Sequence, residues 1–141
     1  MQREIKFRVW DKENKRFAHS DHYLLKATGE LQEFLKDNSC NDPECCDGPG
    51  QDHMFEVDKD RFVVMQFTGL KDKNGKEIYE GDIVEYKDLV GGNELIETVE
   101  WDDSYAGFDP FCDHGVDYSY KINGSDVEII GNIHEHPDLL K

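Results

Sequence analysis

Residues 64–86, VMQFTGLKDKNGKEIYEGDIVEY, decide the fold. Two apolar, strand-like runs flank Asn74-Gly75. That dipeptide tolerates the positive φ angles of a tight type I′ hairpin turn. A second turn at Glu80-Gly81-Asp82 leads into Ile83-Val84-Glu85-Tyr86, which alternates again. Strands this short and this closely spaced build a small twisted sheet or barrel, not a nucleotide-binding α/β domain.

Downstream, residues 95–101 (LIETVEW) read as a further strand, 102–109 as a turn through Gly107, Tyr118-Ser119-Tyr120 as a short strand, and Asn123-Gly124 as another tight turn. Residues 127–133 (VEIIGNI) form the last strand, before a short tail over 134–140. Upstream, residues 61–67 (RFVVMQF) read as a mostly buried strand. About five short, bent antiparallel strands therefore occupy residues 61–141, the number that closes into an SH3-like barrel and removes exposed edges. Residues 1–60 make a separate N-terminal strand-and-helix part. Ile5, Phe7 and Val9 alternate with Lys6, Arg8 and Trp10, residues 11–15 turn, and Arg16-Phe17-Ala18 return. Leu31, Phe34 and Leu35 recur at helical spacing, which predicts a short helix over 30–36. Residues 37–58 carry seven acids, no Lys or Arg and three Cys, with Gly48-Pro49-Gly50 among them, and read as an exposed acidic insertion. The fold class expected is mainly β with minor α.

TGLKDKNGKEIYEGDIV (68–84) resembles the signature of the YopX proteins of bacteriophages and prophages. The opening REIKFRVWDKENKRF (3–17) and the closing VEIIGNIHEHPDLL (127–140) resemble that family's two ends. The resemblance implies the same small barrel joined to an N-terminal strand-and-helix part, and a phage or prophage accessory protein with no assigned activity. It does not extend through 37–58, which looks like a variable insertion.

With 32 acids against 16 bases, the chain carries a net charge of −16. Binding to a phosphate backbone needs clustered Lys and Arg, which neutralise phosphates and release counterions. The one basic cluster, Arg3, Lys6, Arg8, Lys12, Lys15 and Arg16, is interleaved with Glu4, Asp11 and Glu13. Residues 88–120 hold nine acids and no Lys or Arg. Nucleic acid is therefore disfavoured as a partner; a basic protein partner or a bound cation fits the field, and solubility alone is the plainer reading of the charge. Hydrophobic content of 37% is lean, but two Trp, six Tyr and eight Phe suffice to seed a compact core. No apolar stretch approaches membrane-spanning length and residues 1–17 lack a signal-peptide apolar region, so the expectation is a cytoplasmic protein of a bacterial host cell with reduced cysteines.

Cys40, Cys45, Cys46 and His53 are the best metal candidate, since thiolates and an imidazole suit zinc. Their spacing is not that of a zinc motif, and Cys45 and Cys46 are adjacent, so an acidic surface loop with exposed thiols competes with zinc. Cys112 and His114 could complete such a site from a distance. The 72–77 stretch lacks the glycine and glutamate register of a calcium loop. His134 and His136 read as surface histidines. Asp102, Asp103, Asp109, Asp113 and Asp117 lie near Trp101, Tyr105 and Phe108. Paired carboxylates can hold magnesium or do acid–base work, but no base, nucleophile or phosphate-cradling loop accompanies these, and the run reads as a solvated loop. The leading expectation is a non-enzymatic protein-interaction module that self-associates, binding through Trp101, Asp102, Asp103, Tyr105 and Phe108. A DNA-charge mimic that inhibits a host nucleic-acid-binding protein and a metal-dependent enzyme are the alternatives.

Overall fold

A computed structural model of the chain describes residues 4–18, 23–25, 31–35, 53–56, 60–88, 91–112 and 122–141. The chain forms two compact units, one of Arg8–Val64 and one of Met1–Phe7 with Met65–Lys141. It is mainly β, and the helical segments among the described residues are two short 3-10 turns, Gly124–Asp126 and Pro137–Leu140.

In the Arg8–Val64 unit, β1 (Phe7–Asp11) and β2 (Arg16–Phe17) form a hairpin with Trp10 opposite Phe17. Their rings meet edge to face at 5.0 Å. The expected alternation along β1 does not hold: Val9, Trp10 and Asp11 are buried in succession, while Ile5 and Phe7 are exposed. Trp10 is drawn in by Phe17, and Asp11 by a bidentate pairing with Arg61, whose Nε and Nη2 donate at 3.0 and 2.7 Å. Asp11 also accepts from the Glu13 and Asn14 backbone N–H groups and so closes the turn. The Arg61 hydrogen bonds hold its carboxyl well below the usual Asp range against the opposing effect of burial.

The helix expected over 30–36 is instead a strand. β4 (Leu31–Leu35) lies between β3 (Tyr23–Leu25) and β5 (His53–Glu56), antiparallel to both. Five residues are too few for a stable helix on their own, whereas a central strand satisfies its backbone groups on two sides. His53–Glu56, expected within the exposed insertion, is therefore sheet. The rest of that insertion lies outside the described residues.

β6 (Phe62–Lys71), whose residues from Met65 onward belong to the second unit, pairs there with β7 (Glu77–Tyr79) through the Asn74-Gly75 turn. The turn differs from the two-residue type I′ expected. Gly75 N–H donates to Asp72 O at 2.9 Å, Gly75 alone takes a positive φ of 81°, and Asp72 N–H donates to Lys76 O. This is a β-turn followed by a left-handed glycine, the three-residue hairpin loop. β8 (Asp82–Lys87) is central between β9 (Glu94–Thr98) and β12 (Glu128–Asn132). β10 (Glu100–Asp102) and β11 (Gly107–Asp109) form a separate hairpin. The strand expected over 95–101 is broken at Val99, which turns inward, is fully buried, and donates its N–H to Asp82 O. The strand expected at Tyr118-Ser119-Tyr120 lies outside the described residues. The short sheets curl as a half-barrel around one core of Ile78, Val84, Tyr86, Val99, Phe108, Phe111 and Val127.

Candidate functional site

The β10–β11 hairpin places Trp101 directly opposite Phe108. Phe108 belongs to the core and is 7% exposed, while Trp101 on the same rung is 43% exposed. Their rings meet edge to face at 5.1 Å and 77°, a favoured aromatic geometry. The Trp101 Nε1–H donates to Asp103 Oδ1 at 2.9 Å, which fixes the indole from its other end. Asp102 Oδ1 accepts from the Ser104 and Tyr105 backbone N–H groups at 2.7 and 3.3 Å, and this Asx-type contact shapes the turn. Ala106 completes it with a φ of 48°. Tyr105, 47% exposed, stands at the tip. The five residues predicted as a binding surface therefore fall on one hairpin, with Phe108 as its buried anchor.

Two shallow depressions share Trp101 and Phe108 as their common wall. One, of about 340 Å³, is completed by Gln66 and Glu80. The other, of about 320 Å³, is completed by Thr68, Leu70, Ala106, Gly107, Phe111 and Cys112. Sequence reading missed the β6 side of this groove. The chain register shifts between Phe67 and Lys71, with Thr68 Oγ1 donating to Ile78 O, and this irregularity accompanies the placing of Thr68 and Leu70 on the groove wall. The available signal was Gly69 inside an otherwise strand-like run, which marks a bulge.

Burial pushes the Cys112 thiol up, and the nearby carboxylates of Asp109 and Asp102 push it further. It is therefore held as thiol rather than thiolate at neutral pH, the form that is a poor nucleophile. Burial, then hydrogen bonding to Glu97 at 2.9 Å, likewise raises the Tyr86 hydroxyl. Cys40, Cys45 and Cys46 lie outside the described residues, as do Asp113, His114 and Asp117, and His53 opens β5 opposite Leu35. Among the described residues no three His, Cys, Asp or Glu side chains are grouped to hold a metal ion. His136 is exposed, but His134 is half-buried, its backbone N–H donating to Asn132 Oδ1. No helix among the described residues is long and apolar enough to cross a membrane.

No curated protein is similar enough to match this chain. Among solved structures it is similar to protein EF1440 from Enterococcus faecalis, with 25% identity, a TM-score of 0.53, and coverage of 99% of this chain and 100% of the other. It is also similar to yopX from Bacillus subtilis, at 18% identity, a TM-score of 0.53 and the same coverage, a likeness that speaks to the fold. The profile of the YopX protein family matches residues 6–141, nearly the whole chain. The opening strands, the β6–β7 hairpin and the closing strand β12 all fall inside that match, and the chain belongs to the YopX family.

Proposed function

We propose that this chain is a non-enzymatic interaction module of phage or prophage origin, which works in the cytoplasm of a bacterial host by binding a protein through the β10–β11 hairpin. The observation that carries this reading is the half-exposed Trp101 ring. It is braced by Phe108 beneath it and Asp103 beside it, between two depressions. A large aromatic held rigid in water forgoes burial and loses little further freedom on binding, which is the profile of an interface anchor. The acidic surroundings favour a protein partner over nucleic acid.

Self-association belongs to the same reading. It is supported by exposed Leu95 and Ile96 on β9, an end strand of its sheet among the described residues, and by exposed Leu139 and Leu140 in the 3-10 turn beside it. Affinity capture from a phage-carrying bacterial lysate tests the reading. The whole chain should retain a protein in stoichiometric amount and Trp101→Ala should lose it. Equal retention by both would contradict the assignment of this surface. Light scattering that gives a strict monomer at high protein concentration would remove self-association.

A further inference from the structure

We infer that the Trp101 groove takes an extended, cationic segment of a partner protein, with an Arg or Lys head on the Trp101 ring and a neighbouring aliphatic side chain in the depression between Leu70 and Phe111. This rests on the hairpin being the binding surface and names the chemistry of what it binds.

Three observations converge on that occupant. The two depressions differ in character and share one wall. Gln66 and Glu80 complete the more polar one, and Leu70, Ala106 and Phe111, beside Thr68, Gly107 and Cys112, complete the more apolar one, with Trp101 and Phe108 shared by both. A partner that fills both must carry a polar head and an apolar side chain a short distance apart. Side chains two apart on an extended segment share a face at roughly 7 Å, which suits adjoining depressions.

The second observation is the sign of the field. Glu80 lines the groove, Asp102 and Asp103 build the hairpin turn, and Glu100 and Asp109 pair across its base. The stretch from 88 to 120 offers no Lys or Arg to balance them. Carboxylates at this hairpin also bear on Cys112, a wall of the apolar depression, so their influence reaches into the groove. The third observation is the exposed indole itself, the aromatic surface that attracts cations most strongly.

The test uses the full chain, labelled with ¹⁵N, and three synthetic extended peptides in which Ile stands two residues from Arg, citrulline or Asp, so that the two side chains share a face. The chain has two tryptophans, and Trp10 is buried in the other unit at 3% exposure, so the two indole signals give a built-in control. The Arg peptide should shift the Trp101 indole and leave that of Trp10 in place. Trp101→Ala should weaken it about tenfold, the loss expected of an interface anchor. Ala106→Arg, which places a like charge at the groove rim on a residue that is already exposed, should weaken it by about as much. Asp103→Asn can still accept the indole hydrogen bond, so it should weaken binding only about threefold, as one exposed charge contact would. Citrulline or Asp peptides that bind as tightly with the same Trp101 shift would overturn the cationic occupant and leave the interaction reading standing. Failure of all three peptides to move the Trp101 indole would overturn the occupant. If Trp101→Ala also captures its lysate partner unimpaired, the interaction reading falls too.

Discussion

The β6–β7 and β10–β11 hairpins open on the same device and end in opposite surroundings. Each begins with an aspartate whose carboxylate gathers backbone N–H groups. Asp72 accepts from Asn74 and Lys76 through Oδ1, and Asp102 from Ser104 and Tyr105. The difference lies in what else reaches in. The other oxygen of Asp72 accepts from Ile129 N–H on β12, and Lys73 N–H donates to Val127 O. Lys73 also pairs with Glu128 at 2.5 Å. The first hairpin is thereby stapled to the last strand and Asp72 is buried. The second keeps Asp102 half-exposed, with Trp101 and Tyr105 open to water. One turn chemistry thus ends in packing where a neighbouring strand closes over it and in an open aromatic surface, the one we propose for recognition, where none of the described strands does.

Asp72→Ala should break the comparison most severely. It leaves buried backbone donors without an acceptor, and should lower unfolding free energy by about 3 kcal/mol, read by urea denaturation. Burial works against the Asp72 charge, but the N–H groups of Lys76, Ile129 and Asn74 outweigh it and hold the carboxyl below its ordinary value. A depressed folded pKa contributes stability that is complete above the unfolded value of about 3.9 and lost as pH falls below it. Acidification below about pH 4 should therefore destabilise the native chain more steeply than Asp72→Asn. Asp11, depressed by Arg61, should supply a separate acid-labile contribution in the other unit.

Gly124→Ala comes next. A Cβ there would stand 2.5 Å from Lys71 O and 3.0 Å from Leu70 Cβ, so it would wedge the last strand from the stapled hairpin. A loss of about 1–3 kcal/mol is expected, read by thermal unfolding. Gly75→Ala meets no neighbour but must hold a φ of +81°, which should cost roughly 1–2 kcal/mol. Trp101→Ala should lower stability least for its size. Its half-exposed ring gives up the edge contact with Phe108, about 0.5–1.5 kcal/mol, while binding suffers far more. Asp102→Ala should cost about 0.5–1 kcal/mol, because water replaces its contacts. Parity between Asp72→Ala and Asp102→Ala would erase the distinction between the two hairpins.

What the sequence disclosed follows how local each determinant is. Asn74-Gly75 announced the first hairpin because a left-handed glycine is a one-residue requirement, although the loop type depended on Asp72 recruiting Lys76 and Ile129 from farther away. Trp101, Tyr105 and Phe108 were visible as an aromatic, acidic cluster, but their division into exposed and buried partners came from the Trp101–Phe108 rung. The strand β4 was misread because Leu31, Phe34 and Leu35 fit a helical period, and only pairing with β3 and β5 decides otherwise. The Thr68 and Leu70 wall was hidden because a bulge sets which way those residues face.

Site-specific photo-crosslinking in phage-carrying cells tests the central claim most directly. Benzoylphenylalanine is placed in turn at Tyr105, on the open hairpin, and at Lys73, on the stapled one. The account predicts a covalent adduct to a protein from position 105 and none from position 73. Adducts from 73 alone, equal adducts from both, or none from 105 would contradict it.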